Sequence, residues 1–327
     1  MQDLTGAMYI PIPPLLLTHD AGREFQTYIR VGTTERYILY ARNGALTPEH
    51  KETLHERDVE ALYIRQEDKI KYDEYVQQNY GKILLDERIS LDERSAIYYE
   101  QSTQIIKSLF TNKLPRAVLT GPFYDKLARI IEYNCFFIIE NKDSFESIGK
   151  LIDHNYKTYS HSLNVSIYAS CLLQHLGYDA SFIRDVSMGA ILHDLGKLFV
   201  PAELLDKPGK LTPEEFELVK THSTRGVAAA QHLPINQTAL NCILFHHEKL
   251  DGSGYPSGLQ DQDIPTYCRI VTIADIYDAI TSRRPYNDPS TPFEGLLLMM
   301  KDVEKNRLDK YIFKSFVELL SGANITV

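Results

Sequence analysis

Apolar and polar positions alternate with a period of two near the start of the chain and recur every three or four residues over most of the rest. Phe25–Val31 and Arg36–Tyr40 alternate and are rich in β-formers, and Gly32 opens a turn between them, so residues 23–41 read as a hairpin. Asn43-Gly44 marks a second turn, Thr47-Pro48-Glu49 reads as a helix start, Ala61–Ile64 as a strand and Glu67–Tyr80 as a helix. Together these predict a small α/β domain over residues 1–84. From about Leu84 the pattern is helical, with segments at 91–112 and 122–139 forming a connector over 85–145 that ends near the polar turn Asn141–Ser144. Helices are then expected at 146–177, 181–195, 213–232, 236–248, 266–282, 292–304 and 309–320, giving an all-helical domain over 146–327. Thr212-Pro213-Glu214-Glu215 is a capping box with proline at the first helical position. Glycine and proline collect in two loops, 201–211 and 251–265, and long ordered loops in a helical domain point to a site. The expected fold class is mainly α.

Composition narrows this reading without changing it. With 43% hydrophobic and 24% charged residues the chain is an ordinary globular protein, and 327 residues suit two domains. A net charge of −9 excludes a general nucleic-acid binder, so a polyanionic substrate must be captured by local cations, metals included. Cys135, Cys171, Cys242 and Cys268 are scattered and form no CxxC pair, which fits buried, reduced, intracellular thiols. Met8–Leu17 is apolar but short and carries three prolines, so it is neither a signal peptide nor a membrane span. A soluble, cytoplasmic protein is expected.

Candidate chemistry gathers in the helical domain. His161, His193-Asp194, His222, His246-His247 and Asp275 place five of the 11 histidines and two carboxylates where they could converge. Any one histidine on an apolar helix is more often a packed core residue, and an HD or HH pair alone says little. The whole set in one order is far more specific, because clustered imidazoles and carboxylates are the ligands of transition-metal hydrolysis. A carboxylate such as Asp194 can bridge two cations about 3.5–4 Å apart. Asp275 interrupts the apolar run Ile270–Ile280, a costly position unless the charge is paired or metal-bound; Asp278 lies one turn later, and only one of the two need be a ligand. Lys197 follows the HD pair by one turn and either faces a phosphate or complements a helix end. Arg284 could fork onto phosphate oxygens, although an exposed arginine is the commoner case. The loop Asp251–Gly258 is not a phosphate-binding glycine motif, since GK[ST] is missing; Tyr255 within it could stack on a base or donate to a phosphate.

Residues from about 146 to 320 resemble the HD-GYP domain, a bacterial subgroup of the HD metal-dependent phosphohydrolases. The matching stretches are HSLNVSIYA (161–169), HDLGKLFVP (193–201), KTHSTRG (220–226), HHEKLDGSGYPSGL (246–259), IPTYCRIVTIADIYDAITS (264–282) and RRPY (283–286). The resemblance implies hydrolysis of cyclic di-GMP to linear pGpG, with further cleavage to GMP left open. It implies one metal held by His161, His193, Asp194 and Asp275 and a second by Asp194, His222, His246 and His247, with Asp194 bridging. Lys197 and Arg284 match substrate-phosphate contacts, and Tyr255 matches the signature tyrosine. Some members use a glutamate one turn before the first histidine for a third metal; here that position is Lys157, so two metals are expected, with iron or manganese usual in the family.

Two other functions compete with this expectation. One is a low-turnover cyclic di-GMP receptor, or a module that docks diguanylate cyclases through the GYP loop. The other is a phosphohydrolase of another nucleotide, chiefly a different cyclic dinucleotide. Dimerisation through residues 91–139 rests on analogy. The amino-terminal domain carries no receptor signature and is expected to regulate or dimerise.

Overall fold

The structure, a computed structural model, describes residues 8–12, 14, 17, 24–31, 36–42, 46, 50, 53–54, 59, 61–111, 121–152, 158–205, 207, 209–282 and 290–322. The expected turns at Gly32 and Asn43-Gly44, the helix start at Thr47–Glu49, Lys157 and Arg284 lie outside these residues. The chain divides into two compact units, Met1–Ile97 and Tyr98–Val327.

The first unit contains a four-stranded antiparallel sheet in the order β1-β4-β2-β3, from β1 (Tyr9–Ile12), β2 (Thr27–Arg30), β3 (Tyr37–Ala41) and β4 (Leu62–Arg65). The hairpin pairs Tyr28 with Leu39, Ile29 with Ile38 and Arg30 with Tyr37. β1 was not expected. Its Pro11 sits opposite Tyr63 on the edge of the sheet, where a missing N–H is tolerated. Leu62 and Ile64 are fully buried, and Phe25 meets Tyr72 and Tyr75 edge-on from α1 (Lys69–Leu84).

The second unit is helical. After α2 (Leu91–Thr111) come α3 (Gly121–Glu140), α4 (Ser144–Gly149), α5 (Thr158–His175) and α6 (Ala180–Leu192). A 3-10 turn at Leu195–Phe199 leads to α7 (Ala202–Leu205), α8 (Pro213–Lys220), α9 (His222–Ala230), α10 (Gln237–Phe245), α11 (Thr266–Thr281), α12 (Pro292–Glu304) and α13 (Lys310–Leu320). The single helix expected over 146–177 is instead two: α4 ends in a turn at Lys150–Leu151, and α5 starts at Thr158. The helix expected over 213–232 is interrupted at Thr221, whose hydroxyl bonds back to the Leu218 carbonyl.

Caps set the boundaries that matter for the site. Asp179 accepts from the Ser181 and Phe182 amides at the start of α6, and the Thr212–Glu215 capping box starts α8 with Pro213. The core sits around α5, which is buried on every face from Ser160 to Leu173 and packs against α3, α6, α11 and α13. Its Ser166 and Ser170 meet α6 at Ser187, with Ser170 Oγ 2.6 Å from Ser187 Oγ. Gly189 lets α6 approach α10 closely: a Cβ there would lie 2.6 Å from Cys242 Cβ. No helix among the described residues is long and apolar enough to cross a membrane.

Candidate metal centre

Every expected ligand lies at or near a helix end or on a central helix. His161 projects from α5, His193 and Asp194 follow the last turn of α6, His222 opens α9, His246 and His247 follow α10, and Asp275 lies on α11. Small residues draw these elements together. Gly196 faces the start of α9 so closely that a Cβ would fall 1.8 Å from the His222 carbonyl oxygen. This contact lets the HD turn rest on α9, and His222 Nε2 reaches Asp194 Oδ1 at 3.5 Å. The close α6–α10 packing at Gly189 likewise brings the His193 and His246 rings to 4.8 Å between centroids.

The rings are oriented by their outer nitrogens. Nδ1 of His193, His222 and His246 lies 2.7, 2.8 and 3.0 Å from the carbonyl oxygen three residues earlier, on Ala190, Val219 and Ile243. A carbonyl can only accept, so Nδ1 carries the proton and Nε2 keeps its lone pair. Those lone pairs point inward. His222 Nε2 and His246 Nε2 are 3.2 Å apart, a repulsive arrangement unless a cation joins them. His193 Nε2 and Asp194 Oδ1 are buried without a hydrogen-bond partner. His161 Nε2 is 3.0 Å from Asp275 Oδ1 and 3.7 Å from Asp194 Oδ2, while His193 Nε2 is 3.4 Å from Asp194 Oδ2.

Ligand atoms lie within 4.8 Å of one another in three sets: His161, His193 and Asp275; His222, His246 and His247; and His193, Asp194 and His246. Asp194 thus lies between the two outer sets. Burial holds His222 and His246 below the usual imidazole range, and it takes His247 down to about 3, so all three are neutral at pH 7. Burial opposes ionisation of Asp194, but the Lys197 ammonium 2.6 Å away outweighs it and keeps the carboxyl well below its ordinary value. For Asp275 burial is outweighed by the His161 hydrogen bond. Neutral imidazoles, ionised carboxylates and orphaned inward atoms form a donor set that fits divalent transition metals.

The glycine-rich loop stands over His247. Glu248, buried beside the HH pair, accepts from the Ser257 amide at 2.7 Å and the Leu259 amide at 3.0 Å. Asp251 accepts from Ser253 and Arg307, and Gly254 passes so near His247–Lys249 that a Cβ would lie 2.4 Å from Glu248 Cα. The half-buried Tyr255 ring lies 4.6 Å from the His247 ring, with Phe216 and the Lys220 ammonium beside it. Lys197 Nζ is 2.6 Å from Asp194 Oδ2.

Sequence reading missed the supporting shell. Asp278 Oδ2 takes the outer nitrogen of His161 at 2.7 Å, so the two carboxylates of α11 serve opposite ends of one imidazole: Asp275 the inner, Asp278 the outer. Asn164, Glu248, Phe216 and Lys220 gave no signal as isolated polar or apolar positions, and Asp278 stood out only by lying one turn after Asp275, with no task of its own.

This geometry has relatives. The family model described as HD domain matches residues 126–312. The chain is 36% identical over 165 residues to a cyclic di-GMP phosphodiesterase of Thermotoga maritima, covering 50% of this chain and 45% of that one. It is 36% identical over 160 residues to 3'3'-cGAMP-specific phosphodiesterase 1 of Vibrio cholerae, covering 49% and 37%. The chain thus spans less than half the length of either relative. Its fold is that of Bd1817, an HDG"Y"P protein from Bdellovibrio bacteriovorus, at a TM-score of 0.66 and 22% identity over 96% of this chain and 100% of that one. The chain therefore belongs to the HD domain family and carries the motif set of its HD-GYP subgroup.

Proposed function

We propose that this chain is a metal-dependent phosphodiesterase that opens cyclic di-GMP to linear pGpG. The observation that carries the reading is the convergence of five imidazoles and two carboxylates, with inward lone pairs on His193, His222 and His246 and buried, unpartnered atoms on His193 and Asp194. His161, His193 and Asp275 would hold one ion, His222, His246 and His247 a second, and Asp194 would bridge them. Iron or manganese fits this nitrogen-rich set. When bound, the two ions supply Lewis acidity that activates water and neutralises the charge of the reacting phosphate.

The chain's own residues supply position and selectivity. Lys197 brings an ammonium beside the shared carboxylate, where a phosphate oxygen would meet it. Tyr255, backed by Phe216, offers an aromatic face for a base and a hydroxyl for a phosphate. Arg284 would add a second cation from the segment after α11. Glu248 and Gly254 hold the loop close to His247, which limits water at the site. A cytoplasmic location belongs to the same reading; docking of diguanylate cyclases through this loop belongs to the competing binding module, and dimerisation rests on analogy.

A second substrate also has support in sequence likeness. One relative is named for cyclic di-GMP and another, also 36% identical, for 3'3'-cGAMP. Both substrates should therefore be offered to anaerobically purified, metal-loaded protein beside a His193→Ala/Asp194→Ala variant. Faster cleavage of cyclic di-GMP, lost in the variant, is the expected result. Faster cleavage of the hybrid dinucleotide would move the assignment to it. Binding without cleavage of either would make the chain a receptor.

A further inference from the structure

Of the four imidazoles whose Nδ1 is engaged, three rest on backbone carbonyls three residues earlier. Those acceptors come with the helix and do not depend on any side chain. His161 is different: its Nδ1 meets Asp278 Oδ2 at 2.7 Å. The other oxygen of Asp278 accepts from Asn164 Nδ2 at 2.8 Å, and Asn164 Oδ1 accepts from the Tyr99 hydroxyl at 3.3 Å. Asp278, Asn164 and His161 are each at most 1% exposed. Tyr99 is half-buried on α2, at the start of the second unit.

The polarity of this series is determined by its members. Tyr99 donates to a carbonyl oxygen, which leaves the Asn164 amide N–H groups for Asp278. A carboxylate that accepts from Asn164 on one oxygen accepts from His161 on the other. Nδ1 of His161 therefore donates to Asp278, which turns Nε2 toward Asp275 and Asp194.

We infer that Asp278 is the positioning residue for His161 and that Tyr99, acting through Asn164, tunes the metal set to which His161 belongs. This rests on the metal-site reading above. It assigns an orienting function to three residues that would touch neither metal nor substrate, and it makes one ligand set sensitive to α2 while His222, His246 and His247 are not. Removal of an outer hydrogen-bond partner of a ligand histidine typically lowers metal affinity about 10- to 100-fold.

The test is Mn(II) titration of chelated protein by calorimetry and electron paramagnetic resonance, with nitrogen NMR of the imidazoles in the metal-free state. Wild type should take up two ions per chain; no uptake at all would overturn the metal reading itself. Asp278→Asn sets amide against amide at Asn164. It should weaken one site roughly 10- to 100-fold, leave the other unchanged and remove the Nδ1–H signature of His161. The exchange Asp278→Asn/Asn164→Asp restores one carboxylate and one amide in reversed order and should recover affinity and tautomer together. Tyr99→Phe should weaken the same site by roughly 2- to 10-fold, the worth of one hydrogen bond. If Asp278→Asn fails to fold, the exchange and Tyr99→Phe carry the test. Wild-type affinity in Asp278→Asn, or no recovery in a folded exchange variant, would overturn the assignment of Asp278. Unchanged affinity in Tyr99→Phe would overturn the tuning by Tyr99.

Discussion

At the scale of single residues the site depends on groups that look ordinary in the sequence. Gly196 is one. Its contact with the His222 carbonyl admits no Cβ, and the clashing atom belongs to the backbone. Overpacking typically costs about 1–3 kcal/mol where neighbours can yield, so Gly196→Ala is expected at the upper end, with Asp194 pushed away from His222. Thermal unfolding and metal content of the purified variant measure both effects; wild-type values for both would show that the contact does not position the site. The candidate ligands themselves were legible because chemistry demands their residue types, and the structure brings all seven together. The shell behind them was not, since a buried asparagine or glutamate acquires its task only from a partner distant in sequence, as Asn164 does from Asp278. Arg284 lies outside the described residues, so its part rests on the motif alone.

At the scale of elements, short-range signals worked where capping chemistry is local. The start of α8 follows from Thr212, Pro213 and Glu215; a second capping box, Thr291 with Glu294, starts α12. They failed where periodicity runs through a break: α8 and α9 share one apolar rhythm across Thr221, and β1 hides among prolines because only its edge position makes Pro11 acceptable. The loop after α10 is held by Glu248, which no periodic pattern marks. Glu248→Ala leaves the Ser257 and Leu259 amides without their acceptor, and hydrogen bonds to a charged group are worth about 1.5–3 kcal/mol each. Amide exchange at these two positions is expected to accelerate by at least tenfold, with exchange in α5 unchanged. Protection equal to wild type would mean that the loop is held by other contacts.

At the scale of the whole molecule, burying this many imidazoles and carboxylates makes stability depend on pH. His222, His246 and His247 titrate below their free value in the fold, so the unfolded chain binds protons that the folded chain does not once pH falls below roughly 6.5. Their contribution is complete above that pH and is lost progressively toward the folded value of about 3 for His247. Asp194 and Asp275, also depressed, act in the same direction at lower pH. The metal-free protein should therefore lose stability between pH 7.5 and 5.5, by up to about 1.4 kcal/mol per pH unit for each shifted imidazole. Denaturation midpoints at the two pH values test this; equal midpoints would mean that the imidazoles are not held neutral.

The central claim is that these seven residues form one metal centre that cleaves a cyclic dinucleotide. Cyclic di-GMP turnover by chelated protein, followed as Mn(II) or Fe(II) is returned in measured equivalents under anaerobic conditions, tests it most directly. Linear pGpG should be absent at the start, rise with added metal and level off at two equivalents per chain. Product formation that ignores chelation, or none from fully loaded protein, would contradict the claim.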